Sequence, residues 1–286
     1  MESEPFQVVR QLQSGAGLVL DGEVAGQGPP VVLLHGLSAT RRNVVQGSRA
    51  LLRRGYRLIA YDARGHGASS PGPSYAYPEL VDDLEAVLAH FELERVALVG
   101  SSMGAATAMA FALKAPERVA ALVQITPAYL GYGRTGDVDG GVWERMAAEL
   151  ENGGVEAFLD VAEPEGAGEG WREITRQAVR QRMERHEHLY EVAQALRQVP
   201  RSAAWEGLDE LERVQVPVLV VGSRDQMDPL HKLAIAEEYA QRLPNAELLV
   251  EDEGKSPLAW QGARLSGAIA DFFERVGYGA AAPKAP

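Results

Sequence analysis

The hydrophobic positions of this chain fall into short continuous runs set between stretches of helical period. The sharpest run is Val96-Ala97-Leu98-Val99, which leads straight into Gly100-Ser101-Ser102-Met103-Gly104 and then into the small-residue stretch from Ala105 to Leu113. A short apolar run bounded by a glycine turn reads as a strand buried on both faces, and the small residues after it read as a closely packed helix. Similar apolar runs occur at 31–34, 56–61, 119–125, 216–221 and 246–250. Between them, Leu80, Leu84, Leu88 and Phe91 recur at helical spacing and leave Asp82, Asp83 and Glu85 on the opposite face. Further helices are expected up to about Arg54, where Gly55 stops the chain, over about 231–243, and around Leu265, Ile269, Phe272 and Phe273. Ahead of all this, 6–13 and 18–24 form a hairpin with Gly15 and Gly17 in its turn. Alternating strands and helices imply an α/β fold, with a mostly parallel central sheet and helices on both faces.

The rhythm breaks after Thr126-Pro127. Residues 129–205 contain no convincing strand and read as polar helices joined by glycine-rich loops at 137–141 and 163–170. Because the strand–helix alternation resumes afterwards, this stretch is expected to be a helical lid inserted over the sheet. The expected division is therefore 1–128 and 206–276 for the two parts of the core, 129–205 for the lid, and 277–286 for a disordered small-residue tail.

Composition narrows the class. At 286 residues, with 46% hydrophobic and 24% charged residues, the chain has globular values and can bury a sizeable core. A formal charge of -12 argues against nucleic acid or an anionic membrane surface as a partner. The absence of cysteine removes disulfides, a thiol nucleophile and cysteine-ligated metals. The first residues, Met1-Glu2-Ser3-Glu4-Pro5, lack the order of a signal peptide. The longest mostly apolar run, 96–113, is broken by serines and glycines and ends at Lys114. A soluble, cytoplasmic protein with a small, partly apolar substrate or ligand is expected; the oligomeric state is left open.

The candidate chemistry centres on Gly100-Ser101-Ser102-Met103-Gly104. A side chain at Gly100 or Gly104 would collide where strand and helix cross, and the tight turn lifts the Ser102 hydroxyl out of the sheet. The helix starting beneath it turns backbone N–H groups toward any developing oxyanion. Together with Leu34-His35-Gly36, Asp62-Ala63-Arg64-Gly65-His66-Gly67 and Gly222-Ser223-Arg224-Asp225, in that order and each at a strand end, this motif resembles the α/β-hydrolase family across nearly the whole chain. The resemblance implies the α/β-hydrolase fold and a nucleophile elbow at Ser102. It also implies an oxyanion hole from the Leu37 and Met103 amides, and Asp225 as the acid of a catalytic triad. Asp228 is a second candidate acid, with a turn or helix-capping role as its competing reading. A serine nucleophile argues against the family's dehalogenases and epoxide hydrolases, and no metal or organic cofactor is implied.

The family places its histidine base in the loop after the last strand. Here that loop reads Glu251-Asp252-Glu253-Gly254-Lys255-Ser256, so Lys255 stands where histidine is expected. To act as a base it must be neutral, which requires a fall of roughly 3 pKa units, or about 4 kcal/mol. A nearby Asp225 carboxylate would oppose that fall. The expectation is thus a Lys255–Asp225 ion pair that leaves Ser102 unactivated, with a working Ser102–Lys255 pair as the alternative. Gly254-Lys255-Ser256 does not complete a phosphate-binding loop, because the required earlier glycine is Leu249. Among the other histidines, His35 and His66 read as loop braces and His90 as a surface residue. His231 begins a helix near the pocket and His186 and His188 lie in the insertion, and each of the three is left open as a replacement for the missing base on Ser102. Tyr129, Tyr132, Trp143, Trp171 and Tyr190 read either as a pocket roof or as packing between lid and sheet.

Three functions remain open from the sequence. The first is a serine esterase-like hydrolase on a small acyl compound, with feeble activity from a degenerate triad. The second is a non-catalytic protein that holds a small ligand, and the third a non-hydrolytic enzyme using the same pocket.

Overall fold

The structure, a computed structural model, describes residues 2–12, 15–131, 140–162, 169–225, 228 and 230–279. Its centre is one sheet of eight strands: β1 (Glu4–Gln11), β2 (Gly17–Ala25), β3 (Pro30–Leu34), β4 (Arg57–Tyr61), β5 (Val96–Ser101), β6 (Val119–Ile125), β7 (Val218–Val221) and β8 (Ala246–Leu249). Their order across the sheet is β1-β2-β4-β3-β5-β6-β7-β8. The opening hairpin pairs antiparallel and β2 joins β4 antiparallel. Every later pairing is parallel.

Apolar side chains point alternately to the two faces, as the two-residue period of a strand requires. Val32, Leu34, Val96 and Leu98 join the core layer that holds Leu80, Leu84 and Leu88 of α2 (Tyr77–His90) and Met109 and Phe111 of α3 (Met103–Lys114). Val31, Leu33, Ala97 and Val99 join the opposite layer, with Leu265, Ile269 and Phe273 of the C-terminal helix (Gly262–Arg275). Both faces are thus covered, and the carboxyl ends of β3, β4, β5 and β7 carry the loops that build the site.

Between β6 and β7 the described residues form the helical segments Gly140–Ala162, broken at Gly154 (φ 68°), Glu169–Met183 and Leu189–Gln198. Ala147, Leu150, Phe158, Met183, Val192 and Leu196 give them a small core of their own, against which Leu37 packs. Their two chain ends meet: the Tyr129 hydroxyl donates to the Trp205 carbonyl at 2.7 Å and accepts from the Ala204 amide at 3.0 Å. Among the described residues, no helix is long and apolar enough to cross a membrane.

Three local expectations differ from the structure. The helix expected to reach Arg54 is reduced to a 3-10 turn, Arg41–Asn43, and the single helical turn Ala50–Arg53. Gln46 and Gly47 adopt positive φ (49° and 69°), which no helix accommodates. Asp83, expected on the outer face of α2, is buried, because its carboxylate takes both Nε (2.7 Å) and Nη2 (2.6 Å) of the fully buried Arg64. The tail begins docked, with the Tyr278 hydroxyl donating to the Pro30 carbonyl at 2.6 Å and accepting from the Ala97 amide at 3.2 Å. The rest of that tail, 280–286, lies outside the described residues.

Candidate active site

Ser102 follows β5 with φ 50° and ψ −111°, a sparsely populated conformation that costs on the order of 1–3 kcal/mol. The surroundings hold it there. A Cβ at Gly100 would meet the Gly104 carbonyl, and one at Gly104 would meet the Leu34 carbonyl, so only glycine lets strand and helix cross this closely. The Ser102 amide donates to the Ile125 carbonyl at 3.0 Å, and its carbonyl accepts from Ala106 at 3.0 Å. The hydroxyl is left to face away from the sheet, toward the loop after β7.

What it meets there is His231. Its Nε2 lies 2.8 Å from Ser102 Oγ, and its Nδ1 lies 2.7 Å from Asp228 Oδ2. The other Asp228 oxygen, Oδ1, accepts the Leu230 amide at 3.2 Å, so the residue closes a turn and holds the imidazole at once. Burial raises the Asp228 carboxyl, but the charge and hydrogen bond of His231 and the Leu230 and His231 amides outweigh it, and the net shift is downward. An ionised Asp228 only accepts, so it assigns the proton to Nδ1 and leaves Nε2 free to accept from the serine hydroxyl.

The contacts around Ser102 differ from those expected. Lys255 is exposed in the turn after β8, and among the described residues its ammonium forms no ion pair with Asp225 and no bond to Ser102. The loop is anchored by Glu251 instead. That buried carboxylate accepts from Ser223 Oγ at 3.1 Å, the Arg224 amide at 2.5 Å and the Leu258 amide at 3.3 Å. The carboxylate on His231 Nδ1 is that of Asp228, while the Asp225 amide donates to Ser223 Oγ at 3.1 Å. The signal for His231 was present in the sequence as Asp228-x-x-His231, a spacing that lets one turn bring carboxylate and imidazole together.

The loop after β3 lies on the other side of the hydroxyl. A Cβ on Gly36 would sit 3.4 Å from Ser102 Cβ, so this glycine lets the loop approach the serine. Among the described residues, neither the Leu37 nor the Met103 amide has a hydrogen-bond partner. Ser38, in the left-handed region at φ 57°, donates its amide to His66 Nε2 at 3.3 Å and accepts at its carbonyl from His186 Nε2 at 3.2 Å.

Three buried histidines brace this loop. His35 Nε2 accepts the Ala63 amide at 2.8 Å while its Nδ1 donates to the Gly36 carbonyl at 2.8 Å. His66 Nδ1 donates to the Arg64 carbonyl at 3.0 Å, and His186 Nδ1 accepts the Gly67 amide at 2.8 Å. Each ring is neutral, with one nitrogen donating and the other accepting. Burial, reinforced by neighbouring imidazoles, lowers His35 to about 4 and His66 and His186 to about 3. His186 is therefore wedged beneath the helical insertion and does not reach Ser102. His188 marks the start of the helix Leu189–Gln198.

Of the aromatic residues, Tyr129 is core, stacked edge-on against Tyr77 and Trp205. Trp143 packs among the insertion helices and Tyr190 is exposed. Tyr132 and the Trp171 side chain lie outside the described residues.

The family model for the alpha/beta hydrolase fold matches residues 29–262. The chain belongs to the α/β-hydrolase family. It is 40% identical over 106 residues to the sn-1-specific diacylglycerol lipase ABHD11 of Xenopus laevis, covering 37% of this chain and 33% of that protein. It is 38% identical over 121 residues to epoxide hydrolase B of Mycobacterium tuberculosis strain H37Rv, covering 41% of this chain and 34% of that protein. The chain thus matches about a third of the length of these relatives. A thermophilic esterase from Thermogutta terrifontis superposes with a TM-score of 0.77 over 96% of this chain and 99% of that one, at 23% identity. At that identity the likeness speaks for the fold.

Proposed function

We propose that this α/β-hydrolase is a serine hydrolase acting on an ester or related acyl substrate. The observation that carries the reading is the continuous line from Ser102 Oγ through His231 to the ionised Asp228. In this reading Nε2 takes the hydroxyl proton as Ser102 attacks the acyl carbon, and Asp228 stabilises the imidazolium that forms. The Leu37 and Met103 amides receive the developing oxyanion, each worth about 3 kcal/mol in comparable sites. His231 then protonates the leaving group and activates the water that frees Ser102.

With an imidazole against the hydroxyl, the reason for expecting feeble turnover no longer holds. A serine at the elbow also sets this chain apart from an aspartate-based epoxide hydrolase, despite the similarity to one. The ligand-holding and non-hydrolytic readings both leave the serine–histidine contact without a use.

A fluorophosphonate probe tests the proposal directly. The expected result is stoichiometric labelling of Ser102 and turnover of short p-nitrophenyl esters, both abolished in Ser102→Ala. A folded protein that neither labels nor turns over any ester of the series would overturn it.

A further inference from the structure

The Ala39 amide donates to the Gly36 carbonyl at 3.1 Å, which closes a turn over 36–39 with Ser38 at its third position. Ser38 has φ 57°, a value that this position ordinarily reserves for glycine. Serine does not keep that conformation unaided; left alone, it relaxes to negative φ by rotating the Leu37–Ser38 peptide. Two buried imidazoles prevent this. His66 Nε2 accepts the Ser38 amide, and His186 Nε2 donates to the Ser38 carbonyl.

The two rings come from different parts of the chain. His66 belongs to the loop after β4, whereas His186 follows the insertion helix Glu169–Met183. The insertion grips the β4 loop at one residue. Gly67 donates its amide to His186 Nδ1 at 2.8 Å and accepts the Glu187 amide at its carbonyl at 2.9 Å. Gly67 is itself fixed, at φ 53° and so close to the Asp62 carboxylate that a Cβ would collide with it. From that anchor the His186 ring spans to Ser38. Leu37 adds a second tie, because its side chain packs against the insertion's own core.

These contacts bear on one amide. A trans peptide points its N–H opposite to its C=O. The Gly36 carbonyl is pinned by the Ala39 amide and by His35 Nδ1, so the Leu37 N–H has a set direction. Its distance from the reacting oxygen depends on where the whole turn sits, and a shift of about 1 Å costs on the order of 10²-fold in rate. We propose that His186 is a positioning residue for the oxyanion hole, through which the helical insertion holds the turn carrying the Leu37 amide in place beside Ser102. The assignment rests on the serine hydrolase reading for its catalytic consequence, but not for the hold on the turn.

The test separates the two bonds of the ring. Asparagine at position 186 keeps an acceptor where Nδ1 meets Gly67 but is too short to reach Ser38, whereas glutamine brings an amide N–H to the place of Nε2. His186→Asn should lower kcat for p-nitrophenyl butyrate by about 10- to 100-fold, somewhat less than the loss of an oxyanion donor, with KM within about threefold of wild type. Inactivation by a fluorophosphonate should slow by a similar factor, and His186→Gln should restore most of both. Hydrogen exchange of the 36–40 backbone should quicken in His186→Asn, with that of 230–231 unchanged. If His186 only docks the insertion onto Gly67, the ranking reverses, with His186→Asn active and His186→Gln impaired, and the assignment is overturned. If the wild type neither labels nor turns over an ester, the hydrolase reading falls. Exchange then decides the hold on the turn by itself: faster exchange of 36–40 in His186→Asn upholds it, and unchanged exchange overturns it.

Discussion

The Ser102 hydroxyl lies between two groups of histidines that share a side chain and little else. On one side, His35, His66 and His186 are buried, with both nitrogens of every ring bonded to main-chain groups. On the other, the His231 ring bonds only side chains, one a carboxylate and one the serine. An imidazole whose two nitrogens are consumed by amides and carbonyls is a structural strut. One whose Nε2 faces a hydroxyl and whose Nδ1 faces an ionised acid is prepared to exchange a proton. Environment separates the two jobs, since the residue type is the same.

The sharpest way to break this comparison is to remove the proton-accepting ring. His231→Gln should lower kcat/KM for a p-nitrophenyl ester by 10⁴-fold or more, on the order of the loss seen when a triad base is deleted, while circular dichroism and the melting curve stay near wild type. If turnover survived in His231→Gln, the base would have to be another group, and the contrast drawn here would fail.

Acid should act on the other group. His35, His66 and His186 are held below the ordinary histidine value near 6.5, at about 4, 3 and 3. The unfolded chain therefore binds protons first as pH falls. Their contribution to stability is full above about 6.5 and is lost progressively as the pH drops toward the folded values, at up to about 1.4 kcal/mol per pH unit for each ring. Urea unfolding between pH 7 and pH 4.5 should show this decline, and His186→Gln should flatten it. A stability that did not change over that range would mean that the buried rings are not neutral struts.

The smallest effect is expected where the sequence pointed first. Lys255→Met should leave kcat/KM within about twofold of wild type, as befits an exposed side chain with no bond to the hydroxyl. A large loss in this variant would return the lysine to the mechanism.

What could be read in advance follows from the range of the forces involved. The sheet was legible because each buried strand carries its own apolar run, and the elbow because Gly100 and Gly104 answer a local steric demand. The bracing role of His35 and His66 was legible for the same reason: both lie in short loops at strand ends. Asp83 was misread because its partner Arg64 lies 19 residues away and nothing nearby announces a buried ion pair. His231 was one of the alternatives to Lys255 as the base on Ser102 but not the first choice, since chain order directed attention to the loop after β8. There the acidic residue that matters is Glu251, which ties two loops together and leaves the turn bearing Lys255 at the surface.

Asp228 and His231 are three positions apart and joined by a single bend of the main chain, with the His231 amide 3.3 Å from the Asp228 carbonyl. Their mutual alignment is thus carried by one short peptide and not by the docking of two distant segments. Shifting that peptide would unplug the whole relay from the nucleophile in one movement, with the pair itself intact.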